Sequence, residues 1–303
     1  MNRIVGGWLA FTIGLSLAAA ETRAQDKPAA PSEQYKAILK ESQDRHNASH
    51  KEFVASAPKG GMPSDERRME FVGRVYKIKY EQAPKLVDLA EKYPKDPIAL
   101  DALIEAVWQV NGVPWPVELV GRDEARPRAF ALLQRDHLRS DRLGPLCERI
   151  SYGLCAEYEP FLRAVLEKNP HKEVRAQACL ALAHFLNNRA LRLDLVRDQP
   201  ALAREFEDLF GKEYLEGLRR QDRAQAVGEA EALLERAERD YGDVKLPDGV
   251  TVAEKAEPEL FGIRHLAVGK VAPEIEGVDQ DGVRFKLSDY RGKVVLLDFW
   301  SEY

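Results

Sequence analysis

From Ser32 to Asp243 the apolar residues recur at helical spacing, and this pattern restricts most of the chain to packed α-helices. Asp96-Pro97 and Asn169-Pro170 each set a capping side chain before a proline, a pairing that opens helices. The first predicts a helix over Ile98–Val110, with Leu100, Leu103, Ile104, Val107 and Trp108 along one side. The second predicts a helix over Lys172–Leu186, with Val174, Ala178, Ala181, Leu182 and Phe185 inward. Gly112 and the Asn187-Asn188 pair are the expected stops. Ala230–Tyr241 has the same texture, with Leu233, Leu234 and Ala237 inward and Glu235, Arg236, Glu238 and Arg239 outward.

Composition narrows the class further. A length of 303 residues points to about two domains, and 45% hydrophobic with 31% charged residues suits a folded chain rather than a polytopic membrane protein. The 45 basic and 50 acidic residues leave a net charge of −5, so no global basic field predicts a nucleic-acid partner. Three cysteines are too few for a disulfide-stapled scaffold. At the N-terminus, Arg3 precedes an uncharged apolar run, Ile4–Ala20, that exits through Ala18-Ala19-Ala20 and Thr22-Arg23-Ala24. That order predicts a secretory signal peptide and cleavage region over 1–24, a leader over 25–32, and a periplasmic or other extracytoplasmic destination. Once the signal is removed, no stable membrane insertion is expected.

The helical region, 33–244, offers few candidate sites. His46 and His50 stand one turn apart, half of a metal site, but with no third ligand and no H-E-x-x-H pattern they predict a solvated face and no metal. Cys147 and Cys155 flank Gly153 and are a possible disulfide in an exported protein, whereas Cys179 in its apolar run reads as an inert buried thiol. Trp108, Trp115, Tyr152 and Tyr158 read as core or groove wall. No Ser-centred elbow, Walker loop or dinucleotide fingerprint is present, and no cofactor is expected. The stretch NPHKEVRAQACLALAHFL is similar in texture to tetratricopeptide or HEAT-type repeats, without a fixed period; an irregular bundle fits equally well. By that analogy the helical part binds a protein or peptide partner.

Beyond residue 244 the texture changes. Residues 245–268 read as a linker, and 269–303 are punctuated by Gly and Pro. Ile275–Val278 and Val283–Leu287 flank Asp281-Gly282 and predict a β-hairpin. A turn at Ser288–Gly292 leads into Val294–Trp300, a nearly continuous apolar run of the kind that forms a strand covered on both faces.

The window VGKVAPEIEGVDQDGVRFKLSDYRGKVVLLDFW, residues 268–300, resembles the opening of extracytoplasmic thioredoxin-like proteins of the redoxin, peroxiredoxin-like and TlpA-like type. The resemblance implies a thioredoxin-like α/β segment, incomplete here, of hairpin plus one strand. It implies a thiol–disulfide oxidoreductase or peroxide-reducing activity served by a thiol reductant. The reacting cysteine of C-x-x-C would come immediately after Tyr303, with Asp298 as the supporting buried acid and Trp300 lining the site. No catalytic residue of that motif lies within the 303 residues, so this polypeptide is expected to be inactive by itself. A selenocysteine codon read as a stop, a contig break or frameshift, and a true stop each account for such an end. The expected architecture is therefore mainly α, followed by this tail. The alternative function is a non-enzymatic exported interaction protein with a vestigial redoxin tail.

Overall fold

Asp96 accepts a hydrogen bond from the Ile98 amide at 2.9 Å and Pro97 takes the first helical position, so α3 (Pro97–Val110) begins where the Asp-Pro pair predicts. The computed structural model describes residues 29–58, 61–111, 124–210, 212–279 and 281–299. The signal-peptide segment, Gly112, Trp115, Trp300 and Tyr303 lie outside them. Among the described residues the chain is mainly helical. It runs α1 (Pro31–Ala55), α2 (Asp65–Lys92), α3, α4 (Ala125–Leu132), α5 (Gly144–Ile150), α6 (Tyr158–Lys168) and α7 (Lys172–Asp198). There follow α8 (Pro200–Phe210), α9 (Lys212–Arg219), α10 (Arg223–Tyr241) and α11 (Val252–Phe261), then β1 (Glu276–Val278) and β2 (Arg284–Lys286). No helix among the described residues is long and apolar enough to cross a membrane.

The centre of the helical domain is α7, which packs against α5, α6, α10 and α11. Val174, Ala178, Ala181, Leu182 and Phe185 are buried, as their spacing predicts, and so are Leu233, Leu234 and Ala237 of α10 opposite. The small side chains Ala176, Ala178, Ala181 and Ala183 are all buried, and small residues let neighbouring helices approach closely. The helices run from 7 to 28 residues, and α7 touches five of them, α8 being the fifth.

Three local expectations are corrected. Asn187 and Asn188 do not stop α7, which continues to Asp198 because Ala190 and Val196 are buried beyond them. Packing there outweighs the small helix-propensity cost of asparagine. Asn169 does not cap α7 either. Its side chain is buried, donates to Leu138 O at 2.8 Å and Ser140 O at 2.7 Å, and accepts from His171 N, tying the end of α6 to the 138–140 turn. The segment read as a linker contains α11, which starts at a Thr251/Glu254 capping box and buries Val252, Ala256 and Leu260 in the same core as α7.

Two further features set the edges of the domain. The end of α7 carries a small separate cluster, Val196 with Ala203, Leu215 and Leu218 of α8 and α9. Its neck is closed by Arg223 donating to Asp194 at 2.6 Å. In addition, Arg163 of α6 donates to Glu159 at 2.7 Å and to Glu229 of α10 at 2.5 Å, while Arg189 of α7 also binds Glu159.

The hairpin forms in the tail. Glu276 pairs with Lys286, Gly277 with Phe285 and Val278 with Arg284, antiparallel. Asp279 Oδ1 accepts from the Asp281 and Val283 amides, both at 2.9 Å, and Gly282 takes the left-handed φ of 79° that the turn requires. Residues Leu287–Tyr290 follow as a tight 3-10 turn. The strand expected over Val294–Trp300 is absent from 294–299, whose residues are unpaired and exposed. A strand needs neighbours to receive its hydrogen bonds and cover its faces, and no described residue beyond Ile263 is buried.

Two measurements check this account. Asn169→Leu is expected to destabilise the fold by about 1–3 kcal/mol for each carbonyl left without a donor, read by denaturant unfolding; unchanged stability would contradict the role given to Asn169. Burial raises the Glu159 carboxyl, but hydrogen bonds from Arg189 and Arg163 outweigh it and the net direction is down. Its contribution is thus complete above the ordinary carboxylate range and lost as pH falls through the depressed value. Glu159→Gln should flatten the loss of stability between neutral pH and about pH 3.

Candidate functional site

Of the residues that the resemblance singles out, Asp298 is the one among the described residues. Asp298 is exposed on the unpaired 294–299 segment, among Val294, Leu296 and Phe299, which are also exposed. The cysteines are not bridged. Cys147 and Cys179 are buried, and burial pushes each thiol up to about 12, away from the thiolate form that reacts. Cys179 Sγ donates to Leu233 O at 3.3 Å. His46 and His50 both set their rings edge-on to Phe71, with centroids 5.9 and 5.8 Å away. Among the described residues no three His, Cys, Asp or Glu side chains are grouped to hold a metal ion. Of the aromatic residues, Tyr158 is in the core and donates to Asn111 at 2.8 Å; Tyr152 is largely exposed, and Trp108 is about half exposed beneath the Arg149 guanidinium.

The better-formed site is a cleft of about 200 Å³ in the helical domain, between α5, α7 and α11. The turn after α5 brings Tyr152. Arg192 of α7 fixes that turn by donating to Gly153 O at 3.0 Å and Tyr152 O at 3.1 Å. A Cβ on Gly153 would overlap the buried Tyr158 ring, so the turn needs glycine there. From the side of α11, Leu246, Pro247 and Asp248 overhang the cleft on a turn closed by Leu246 N to Val250 O at 2.8 Å, with Gly249 at φ 86°.

Along the floor α7 presents Gln177, Leu180, Ala181 and His184. His184 Nδ1 lies 3.2 Å from Glu259 Oε1 of α11, and Tyr152 packs edge-on against the imidazole with centroids 4.4 Å apart. Lys255 and Asp248 pair at 2.8 Å. Each shifts the other toward its charged form: the hydrogen bond to Asp248 raises the ammonium, and the one from Lys255 lowers the carboxyl. Three atoms on these walls, Gln177 Oε1, His184 Nε2 and Glu259 Oε2, are shut off from solvent and have no hydrogen-bond partner. Buried polar atoms in that state are uncommon. A carboxylate on Nδ1 holds an imidazole in one tautomer and leaves Nε2 to accept a proton or a hydrogen bond.

The sequence marks Tyr152 as core or groove wall and Ala181 as inward, and none of these residues as a site. Gln177 and His184, seven apart on an otherwise apolar face, were the available signal; Glu259 is 75 residues from its partner and had none. No known protein family, curated protein or solved structure matches the chain.

A thiol-alkylating reagent applied to the native protein is expected to leave Cys147 and Cys179 unmodified until the domain unfolds. Labelling of either at the rate of an exposed thiol would show that its burial is wrong.

Proposed function

We propose that the chain carries the opening of a redoxin-type module, a thiol–disulfide oxidoreductase or peroxide-reducing domain of the cell envelope, borne on a helical domain that binds a protein partner. The reading starts from the resemblance of residues 268–300. What supports it in the fold is the order of elements: a hairpin at Glu276–Lys286, then the Leu287–Tyr290 turn, then the apolar run that carries Asp298.

The chemistry follows from that placement. A thiol attacks a disulfide as thiolate, and in the resembled proteins it is supplied by a cysteine directly after the position of Tyr303, with selenocysteine as the selenium counterpart. Neither Cys147 nor Cys179 can take its place, since both are buried and held protonated. Asp298, once covered by the remainder of such a domain, would be the acid that moves a proton for the second thiol. Export and service by a thiol reductant belong to the same proposal.

The runner-up is a non-enzymatic interaction protein. It is favoured by the self-sufficiency of the helical core, to which no described residue beyond Ile263 adds a buried side chain. Reading the coding DNA past codon 303 decides between them. A cysteine codon or UGA next, followed in frame by x-x-Cys, is expected. Any other codon there overturns the redoxin reading and leaves the interaction protein.

A further inference from the structure

We propose that a second copy of this chain covers the apolar run 294–299, the run of each copy adding as a strand to the free β1 edge of the other. This goes beyond the redoxin reading and does not rest on it; it needs only the groups that the hairpin and the run leave open. In the hairpin, Leu287 N donates to Ile275 O and Asp279 N to Val283 O, both at 2.9 Å. Bonded and non-bonded pairs alternate along an antiparallel ladder. The amides and carbonyls of Glu276 and Val278 on β1, and of Arg284 and Lys286 on β2, therefore point away from the partner strand. The outer edge of β2 is closed at Lys286, whose amide donates to Asp289 Oδ2 at 2.9 Å. On the outer edge of β1 no described residue takes the Glu276 or Val278 backbone groups.

The run supplies what such an edge lacks. Val294 and Leu296 are almost wholly exposed while Val295 and Leu297 are about half exposed, the period of two that an extended strand gives. Val294-Val295-Leu296-Leu297-Asp298-Phe299 has no glycine or proline and a single charge, the composition of a segment that pairs with open strand edges. Charge selects the edge and the direction. Lys293 leads into the run, and β1 is flanked by the exposed Glu274 and Glu276, whereas β2 presents Arg284 and Lys286. Laid parallel to β1 with Lys293 beside Glu276, the run sets Val295 beside Val278 and carries Asp298 past the end of the strand. The opposite direction, with Val295 still beside Val278, returns Asp298 to the two glutamates. A strand from a different protein could fill the edge but would leave the run uncovered; a second copy answers both at once. Each copy gives one run and one edge, so the exchange is reciprocal and closes at a dimer.

Sedimentation of the full chain over a range of concentrations is expected to show a reversible dimer. Val278→Pro removes the outward β1 amide without touching a hydrogen bond of the hairpin, and Leu296→Lys sets a charge in the middle of the run. Each is expected to raise the dimer dissociation constant about ten-fold or more. In an equimolar mixture the run of the first variant and the edge of the second are both intact, so a heterodimer held by one of the two contacts should appear. The proposal is overturned by a monomer at every concentration, by self-association that both variants leave unchanged, or by loss in Leu296→Lys alone, which would put the run on another surface. Hydrogen exchange of the unmodified protein decides the matter even where a variant folds poorly. The Val278 amide and those of 294–297 should be slowed in the dimer, and a Val278 amide that exchanges as fast in the dimer as in the monomer rules out the β1 edge.

Discussion

The helical domain depends on the burial of α7 on most of its surface. A helix covered on one side needs one apolar stripe, but Val174, Ala176, Ala178, Cys179, Leu182, Phe185 and Leu186 point in several directions and are all buried. Each large apolar side chain taken fully out of water contributes about 1.5–3 kcal/mol, and the alanines between them allow α5 and α10 to come close. The cost is that polar groups on this helix have to find partners inside the bundle. Arg189 finds Glu159, Arg192 finds the carbonyls of the 152–153 turn, and Cys179 finds Leu233 O. The ion-paired Glu159 joins α6 to α7 and, through Arg163, to α10. Among the described residues of α7 this provision is incomplete at Arg175, Gln177 and His184, of which the last two line one cleft.

Much of the helical architecture was legible because it is written in local periodicity. The inward residues of α3, α7 and α10 are nearly all those that the spacing selects; Trp108 departs by being half out of the core, at the wall of a groove. Errors arose where a local signal had a second meaning. Asn169 before Pro170 has the chemistry of a cap, and its side chain serves two distant carbonyls instead. The Asn187-Asn188 pair disfavours helix only weakly, and contacts near Val196 decide the matter. Residues 245–268 read as a linker, although Thr251-x-x-Glu254 is itself the sequence signature of a helix start.

The site is less legible than the fold, for a physical reason. The tail motif is contiguous, so a resemblance can be drawn from it, yet the atoms it concerns are exposed or outside the described residues. The cleft is assembled from α5, α7, the turn at 246–250 and α11, which the sequence places far apart. His184 is one polar residue on a largely apolar stretch of helix, and only the packing of α11 sets Glu259 opposite it. Its partner's position follows from the packing of α11, in a stretch whose composition concealed that a helix was there at all.

The small cluster at the far end of α7 has its own consequence. Helices α8 and α9 pack on Val196 away from the main core, and the excursion leaves and returns at a neck where Arg223 meets Asp194. The entropy of closing such a loop grows only with the logarithm of its length. Residues between the two ends of that neck can therefore be gained or lost in evolution with little penalty to the main bundle, making this the region of the helical domain most open to remodelling.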